Sequence, residues 1–160
     1  MHGRRQTLLV GDGGEQFAQR LALLTGQAGG QVLFVLTSVS LVSIAFTSID
    51  IAPDEAQYWE FSRRLDWAYY SKGPFIAWCI AFGTTLFGDT ALGVRVPGVV
   101  MFLLLSIVLY RYVRNEYSPQ LGVVGLIMLR ATIGFWQAGT IMTTDSPVFL
   151  FWTLAIIAST

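Results

Sequence analysis

Pro53-Asp54-Glu55-Ala56-Gln57-Tyr58-Trp59 follows almost directly on an uncharged run long enough to cross a membrane. Upstream of it no residue between Arg20 and Asp50 carries a charge. Val32 to Ile49 alone supplies about the 18 residues needed to cross a hydrocarbon core of about 30 Å. Asp54 and Glu55 therefore stand where the chain leaves the bilayer. Paired carboxylates at a membrane surface suit chemistry on a lipid-borne substrate.

Composition agrees with that placement. Hydrophobic residues make up 54% of the chain and charged ones 12%, against about 25% charged in soluble domains. The chain reads as an all-α, polytopic membrane helix bundle. Its formal net charge is zero and it holds no basic run, so the electrostatic footprint of a nucleic-acid partner is missing. A single cysteine, Cys79, excludes an intrachain disulfide and any cysteine metal cluster, and reads as a small core residue.

Residues 1–30 read as a flexible cytoplasmic tail with a short amphipathic helix from Glu15 to Leu24. Gly11-Asp12-Gly13-Gly14 matches no full phosphate-loop pattern. Arg4, Arg5 and Arg20 precede the first span and favour a cytoplasmic amino terminus, with the span kept as a signal anchor. Residues 31–160 form the membrane domain. Its spans are expected near 32–49, 90–110, 119–139 and 147–160, with an outer loop over 50–89.

Parity decides whether the acids meet. Pro74 to Phe87 is apolar but short, and stretches of about 10–14 residues are more often interfacial than spanning. With that segment at the surface, Arg111 and Arg114 fall on the cytoplasmic side, as the positive-inside rule asks. Asp54 and Asp145 then share the outer face. A full crossing by Pro74 to Phe87 would separate them. Within the outer loop, Asp54 and Gln57 fit a capping box, and Tyr58, Phe61 and Leu65 form a stripe opposite Glu60, Arg63 and Arg64. Trp59, Trp67, Tyr69, Tyr70 and Trp78 suit the headgroup level.

Five separated motifs carry a resemblance. They are Asp54-Glu55-Ala56-Gln57-Tyr58-Trp59, Leu65 through Pro74, Leu86-Phe87-Gly88-Asp89, Gly93-Val94-Arg95 and Met142-Thr143-Thr144-Asp145-Ser146-Pro147. Over about Val32 to Thr160 the chain resembles bacterial GT-C glycosyltransferases, of the protein mannosyltransferase and lipid A aminoarabinose transferase type. That resemblance implies two surface helices in the first outer loop and sugar donors carried on polyprenyl phosphate. It also implies an inverting transfer to a lipid, glycan or protein hydroxyl outside the bacterial cytoplasmic membrane. Asp54 matches the expected catalytic base. Family members usually run to several hundred residues, so the chain reads as an amino-terminal fragment.

The residue types suit that chemistry. A carboxylate within about 2.6–3.2 Å of an acceptor hydroxyl can take its proton, which is the role expected of Asp54. A fixed cation beside the leaving phosphate stabilises the transition state more than the ground state. Lys72, the chain's one lysine, is the candidate, and Glu55, Tyr70, Arg95 and Asp145 are expected to line the substrate site. Plainer readings stand beside these. Asp54 and Asp145 could cap helices, Glu55 could be a favourable charge in a first helical turn, Lys72 could snorkel, and Arg95 could anchor a span. Asp54, Glu55 and Asp145 are also the candidate ligands for a divalent cation such as magnesium or manganese. Arg130, near the middle of the third span, should face protein or water. The alternative from another class is a transporter or lipid-binding segment, which would need acids buried among its spans.

Overall fold

The computed structural model describes residues 27–46, 51–70, 72–132 and 139–159, together with Gln16, Gly134 and Gln137. Its elements are helices: α1 Gln27–Phe46, α2 Pro53–Ser62, α3 Phe75–Phe87, α4 Ala91–Glu116, α5 Pro119–Ala131 and α6 Asp145–Ala158. The all-α expectation holds, with no strand among the described residues. The expected helix from Glu15 to Leu24 and most of the tail lie outside the described residues. The last four residues expected for the tail already belong to α1.

Helices α1 and α4 are long and apolar enough to cross a membrane. At 1.5 Å per residue they measure about 30 and 39 Å, whereas α3, α5 and α6 are shorter apolar helices of about 20 Å. The third apolar run does not continue as one helix to Gly139. It stops at Ala131, where Thr132 turns extended, and residues 139–144 complete the approach to α6 in turns and bends.

Contacts along α4 set three levels. At its carboxyl end Tyr110 fills the space beside Gly29 of α1 and Gly122 of α5, where a Cβ would lie 2.3 and 3.0 Å from the tyrosine ring. About 12 Å higher, Phe102 packs under the Arg130 guanidinium of α5 at 4.3 Å, and Arg130 reaches Ser40 of α1. A further 10 Å or so along the helix, Arg95 meets Glu55 of α2. Thus α1 and α5 run antiparallel to α4. The carboxyl ends of α1 and α5 therefore lie toward the same end of the cluster, the amino end of α4. Phe102, Ile80, Leu126 and Met142, all nearly or fully buried, form the apolar centre between these levels.

Helix α3 docks on α4 through small residues. Pro97 offers no N–H to the Gly93 carbonyl one turn earlier, and Gly83 sits against that carbonyl, where a Cβ would come within 2.3 Å. A Cβ on Gly93 would meet the Gly88 carbonyl at 2.3 Å, again backbone that cannot swing aside. Gly83→Ala and Gly93→Ala should each destabilise the protein by about 1–3 kcal/mol or more, read as a lower unfolding midpoint in detergent. Gly125→Ala, with open space around it in α5, should be neutral or add up to about 1 kcal/mol of stability.

Helix α2 departs from its expected pattern. Its buried face is Glu55, Tyr58 and Ser62, spaced three and seven residues apart, and not Tyr58, Phe61 and Leu65. The helix ends at Ser62, so Leu65 lies beyond it and is 59% exposed. Its cap is Ala52, with Pro53 in the first helical position. The carboxylate that bonds back to the cap N–H is Glu55, not Asp54.

Candidate active site

Glu55 is fully buried and organises this end of the molecule. Its Oε1 accepts hydrogen bonds from Arg95 Nε at 3.0 Å and from the Met142 backbone N–H at 3.0 Å. Its Oε2 accepts from Arg95 Nη2 at 2.8 Å, from Nε at 3.2 Å, and from the Ala52 N–H at 3.1 Å. The guanidinium fork thus grips both oxygens, the bidentate geometry that makes arginine pairs strong and directional. One carboxylate joins the start of α2, the first turns of α4 and the segment before α6. Gly98, one turn after Arg95 on α4, leaves room for the Met142 thioether, which a Cβ there would approach to 3.2 Å.

That clamp places the two other acids. Asp54 precedes Glu55 in the first turn of α2 and is exposed. Asp145 lies three residues after Met142, in the first turn of α6, and is also exposed. It makes no cap: Thr144 precedes the helix and offers no side-chain bond. Both carboxylates sit at helix amino termini, where the peptide dipoles favour negative charge. Asp54 and Asp145 therefore belong to the two segments that Glu55 ties together at one end of the cluster.

Lys72 is half-buried, its amine 5.8 Å from the centre of the Tyr58 ring. Tyr58 is one helical turn beyond Asp54 on α2, a spacing that puts both on one side of the helix. The ammonium therefore stands against the ring of an α2 residue. Tyr70 is fully exposed. Arg95 is 4% exposed and committed to Glu55. Of the six residues expected in the site, Asp54, Asp145 and Lys72 present free chemistry at this end, Glu55 and Arg95 form its buried support, and Tyr70 points to solvent.

Glu55 has both oxygens occupied, and no group of three or more His, Cys, Asp or Glu side chains converges among the described residues.

Around the acids the outer segment is braced by aromatic contacts. Tyr69 stacks on Phe61 at 4.4 Å, its hydroxyl within 2.9 Å of the Phe61 and Arg64 carbonyls and accepting from the Asp66 N–H. Trp67 meets Trp78 edge to face. Arg63 at the end of α2 donates to Asp89 in the turn before α4. That hydrogen bond, more than the Arg63 charge alone, holds the Asp89 carboxyl below its ordinary value. Because the folded-state value is the lower one, the unfolded chain binds more protons in this window. The tether then stabilises the fold above about pH 4 and is lost as pH falls through the folded-state value. Asp89→Asn should flatten this part of the acid unfolding profile, measured by circular dichroism.

The family model described as dolichyl-phosphate-mannose-protein mannosyltransferase matches residues 71–160, more than half of the chain. The chain belongs to that family. It is 29% identical over 137 residues to the lipid A galacturonosyltransferase RgtD of Rhizobium johnstonii, an overlap covering 84% of this chain and 29% of the relative. An overlap of that extent necessarily includes Asp54, Glu55 and Arg95. It is 27% identical over 119 residues to the undecaprenyl phosphate-alpha-4-amino-4-deoxy-L-arabinose arabinosyl transferase of Pseudomonas aeruginosa, covering 66% of this chain and 22% of the relative. A Pseudomonas fluorescens protein of the same description is 30% identical over 122 residues. The chain thus spans less than a third of the length of these relatives. No solved structure matches it. The GT-C membership expected from the motifs is borne out, and the family is one of glycosyltransferases acting with polyprenyl-phosphate sugars.

Sequence reasoning missed the Glu55 clamp. The local signal was Pro53, which marks the first helical position and so puts Glu55, not Asp54, where a side chain can reach back to the cap. Nothing local announced Arg95 or Met142 as its other partners.

Proposed function

We propose that this chain carries the acid-bearing end of an integral-membrane, inverting glycosyltransferase. It moves a sugar from a polyprenyl-phosphate carrier to an acceptor hydroxyl at the outer face of the bacterial cytoplasmic membrane. The observation that supports this reading is the Glu55 clamp, which ties the helix start bearing exposed Asp54 to the segment leading to exposed Asp145 at one end of an apolar helix cluster. In this reading α2 and α3 lie at the outer interface and four apolar segments cross the bilayer.

Asp54 accepts the proton of the acceptor hydroxyl as its oxygen attacks the anomeric carbon. The bond from that carbon to the carrier phosphate oxygen breaks, and the carrier leaves with the electron pair from the opposite face, inverting the centre. Lys72 stands beside the phosphate, where a cation gains most as negative charge develops. Asp145 holds sugar or acceptor hydroxyls. Glu55 and Arg95 position the acids and do not touch substrate. Arg111 and Arg114, at the opposite end of α4, face the cytoplasm.

Lys72→Met separates this role from simple snorkelling. In membranes carrying the full-length protein and a radiolabelled polyprenyl-phosphate sugar, transfer should fall by about 10²-fold or more, the scale of losing one preorganised charge contact. Transfer unchanged in Lys72→Met would remove the lysine from the mechanism.

A further inference from the structure

We propose that Arg130 anchors a phosphate-binding site inside the helix cluster, separate from the acid-bearing end and independent of the transfer reaction. Arg130 is 6% exposed, and its guanidinium lies about two turns of α4 below the level of Arg95. Two contacts fix it. Nη1 donates to Ser40 Oγ at 2.9 Å, and Ser40 in turn donates to the Leu36 carbonyl. The plane of the guanidinium carbon stands 4.3 Å over the Phe102 ring. Gly139 lets the chain pass close by, since a Cβ there would lie 3.4 Å from Nη1 and 3.1 Å from Phe102.

The other edge is unpartnered. Nε and Nη2 of Arg130 are buried and have no hydrogen-bond partner. These are the two atoms through which Arg95 grips both oxygens of Glu55. The same fork on Arg130 is therefore set for a pair of oxygens on one acceptor, which a phosphate supplies. Thr37 adds a further unpartnered buried hydroxyl one turn from Ser40 on α1. Among the described residues the buried carboxylate is Glu55, and Arg95 occupies it. The outward face of α1 carries exposed Phe34, Val35, Val42 and Phe46, an apolar surface along the helix that bears Ser40. The geometry fits a phosphate monoester or diester on an apolar tail.

The test uses the full chain in dodecyl maltoside, which brings no phosphate, titrated with dodecyl phosphate and followed by native mass spectrometry. Lys72→Met serves as the background, so that the lysine cannot supply a second anion contact. In that background Arg130→Met should weaken dodecyl phosphate binding at least tenfold, and Arg130→Lys, which keeps the charge without the fork, should weaken it several-fold. Ser40→Ala releases the guanidinium without removing it and should also weaken binding, which covers the case in which Arg130→Met does not fold. Inorganic phosphate is the second probe: weaker binding marks a lipid phosphate, and equal binding marks the same site as one for free phosphate. Unchanged affinity for dodecyl phosphate in Ser40→Ala and in folded Arg130→Met overturns the proposal.

Discussion

Asp54→Asn is expected to lower sugar transfer by about 10²–10⁴-fold, the usual contribution of a positioned general base, while the carrier still binds. The substitution keeps the size of the side chain and removes its basicity. It leaves Glu55, which holds the helix start through Ala52, Arg95 and Met142, untouched. Because Asp54 is exposed and makes no cap, its loss should cost little stability. A structural role for Asp54 would produce the opposite pattern, a lower unfolding temperature with residual activity in proportion to folded protein. The measurement is single-turnover transfer from a labelled polyprenyl-phosphate sugar by the full-length protein, paired with a binding assay for the carrier. Wild-type transfer by the Asn variant would reject Asp54 as the base.

The second large effect concerns the buried pair. Removing one partner of a buried ion pair leaves an uncompensated charge and costs about 3–5 kcal/mol. Arg95→Met should therefore destabilise strongly, stranding the Glu55 carboxylate with two backbone N–H donors only. Glu55→Gln should be milder, because the amide oxygen still accepts, although the guanidinium loses its charged partner. The double variant Glu55→Met, Arg95→Met removes both charges together and should recover much of the loss in folding free energy, since such pairs often exchange for apolar residues at little net cost. It should not recover transfer, because the tie from Glu55 to Met142 that joins the segment before Asp145 to the start of α2 is gone. Unfolding in detergent and transfer in membranes, measured on wild type, the Glu55→Met and Arg95→Met single variants and the double variant, separate the two quantities. Strict additivity of the single losses would show that Glu55 and Arg95 are not coupled.

Local chemistry made much of the helical layout readable. The uncharged run after Arg20, the arginines at 111 and 114 and the short stretch ending at Phe87 correspond to α1, the end of α4 and α3. What could not be read was pairing across distance. Arg95 lies 40 residues from Glu55, Met142 lies 87 away, and Ser40 lies 90 from Arg130. A carboxylate in a first helical turn looks the same in sequence whether it faces solvent or a buried guanidinium. The cap was misplaced for a different reason: Asp54 and Gln57 offered a plausible box, while Pro53 already favoured a cap one residue earlier than itself. The end of α5 at Ala131 was hidden because the residues that follow remain apolar.

The arrangement of acids on one outer face is tested most directly by cysteine accessibility in intact cells. In full-length protein with Cys79 replaced by alanine, cysteines at the exposed positions Ala56 and Asp145 should both react with a membrane-impermeant maleimide added outside. A cysteine at Arg114 should react only after the membrane is opened. Labelling of positions 56 and 145 from opposite compartments, or of both from the cytoplasm alone, would contradict the proposed site.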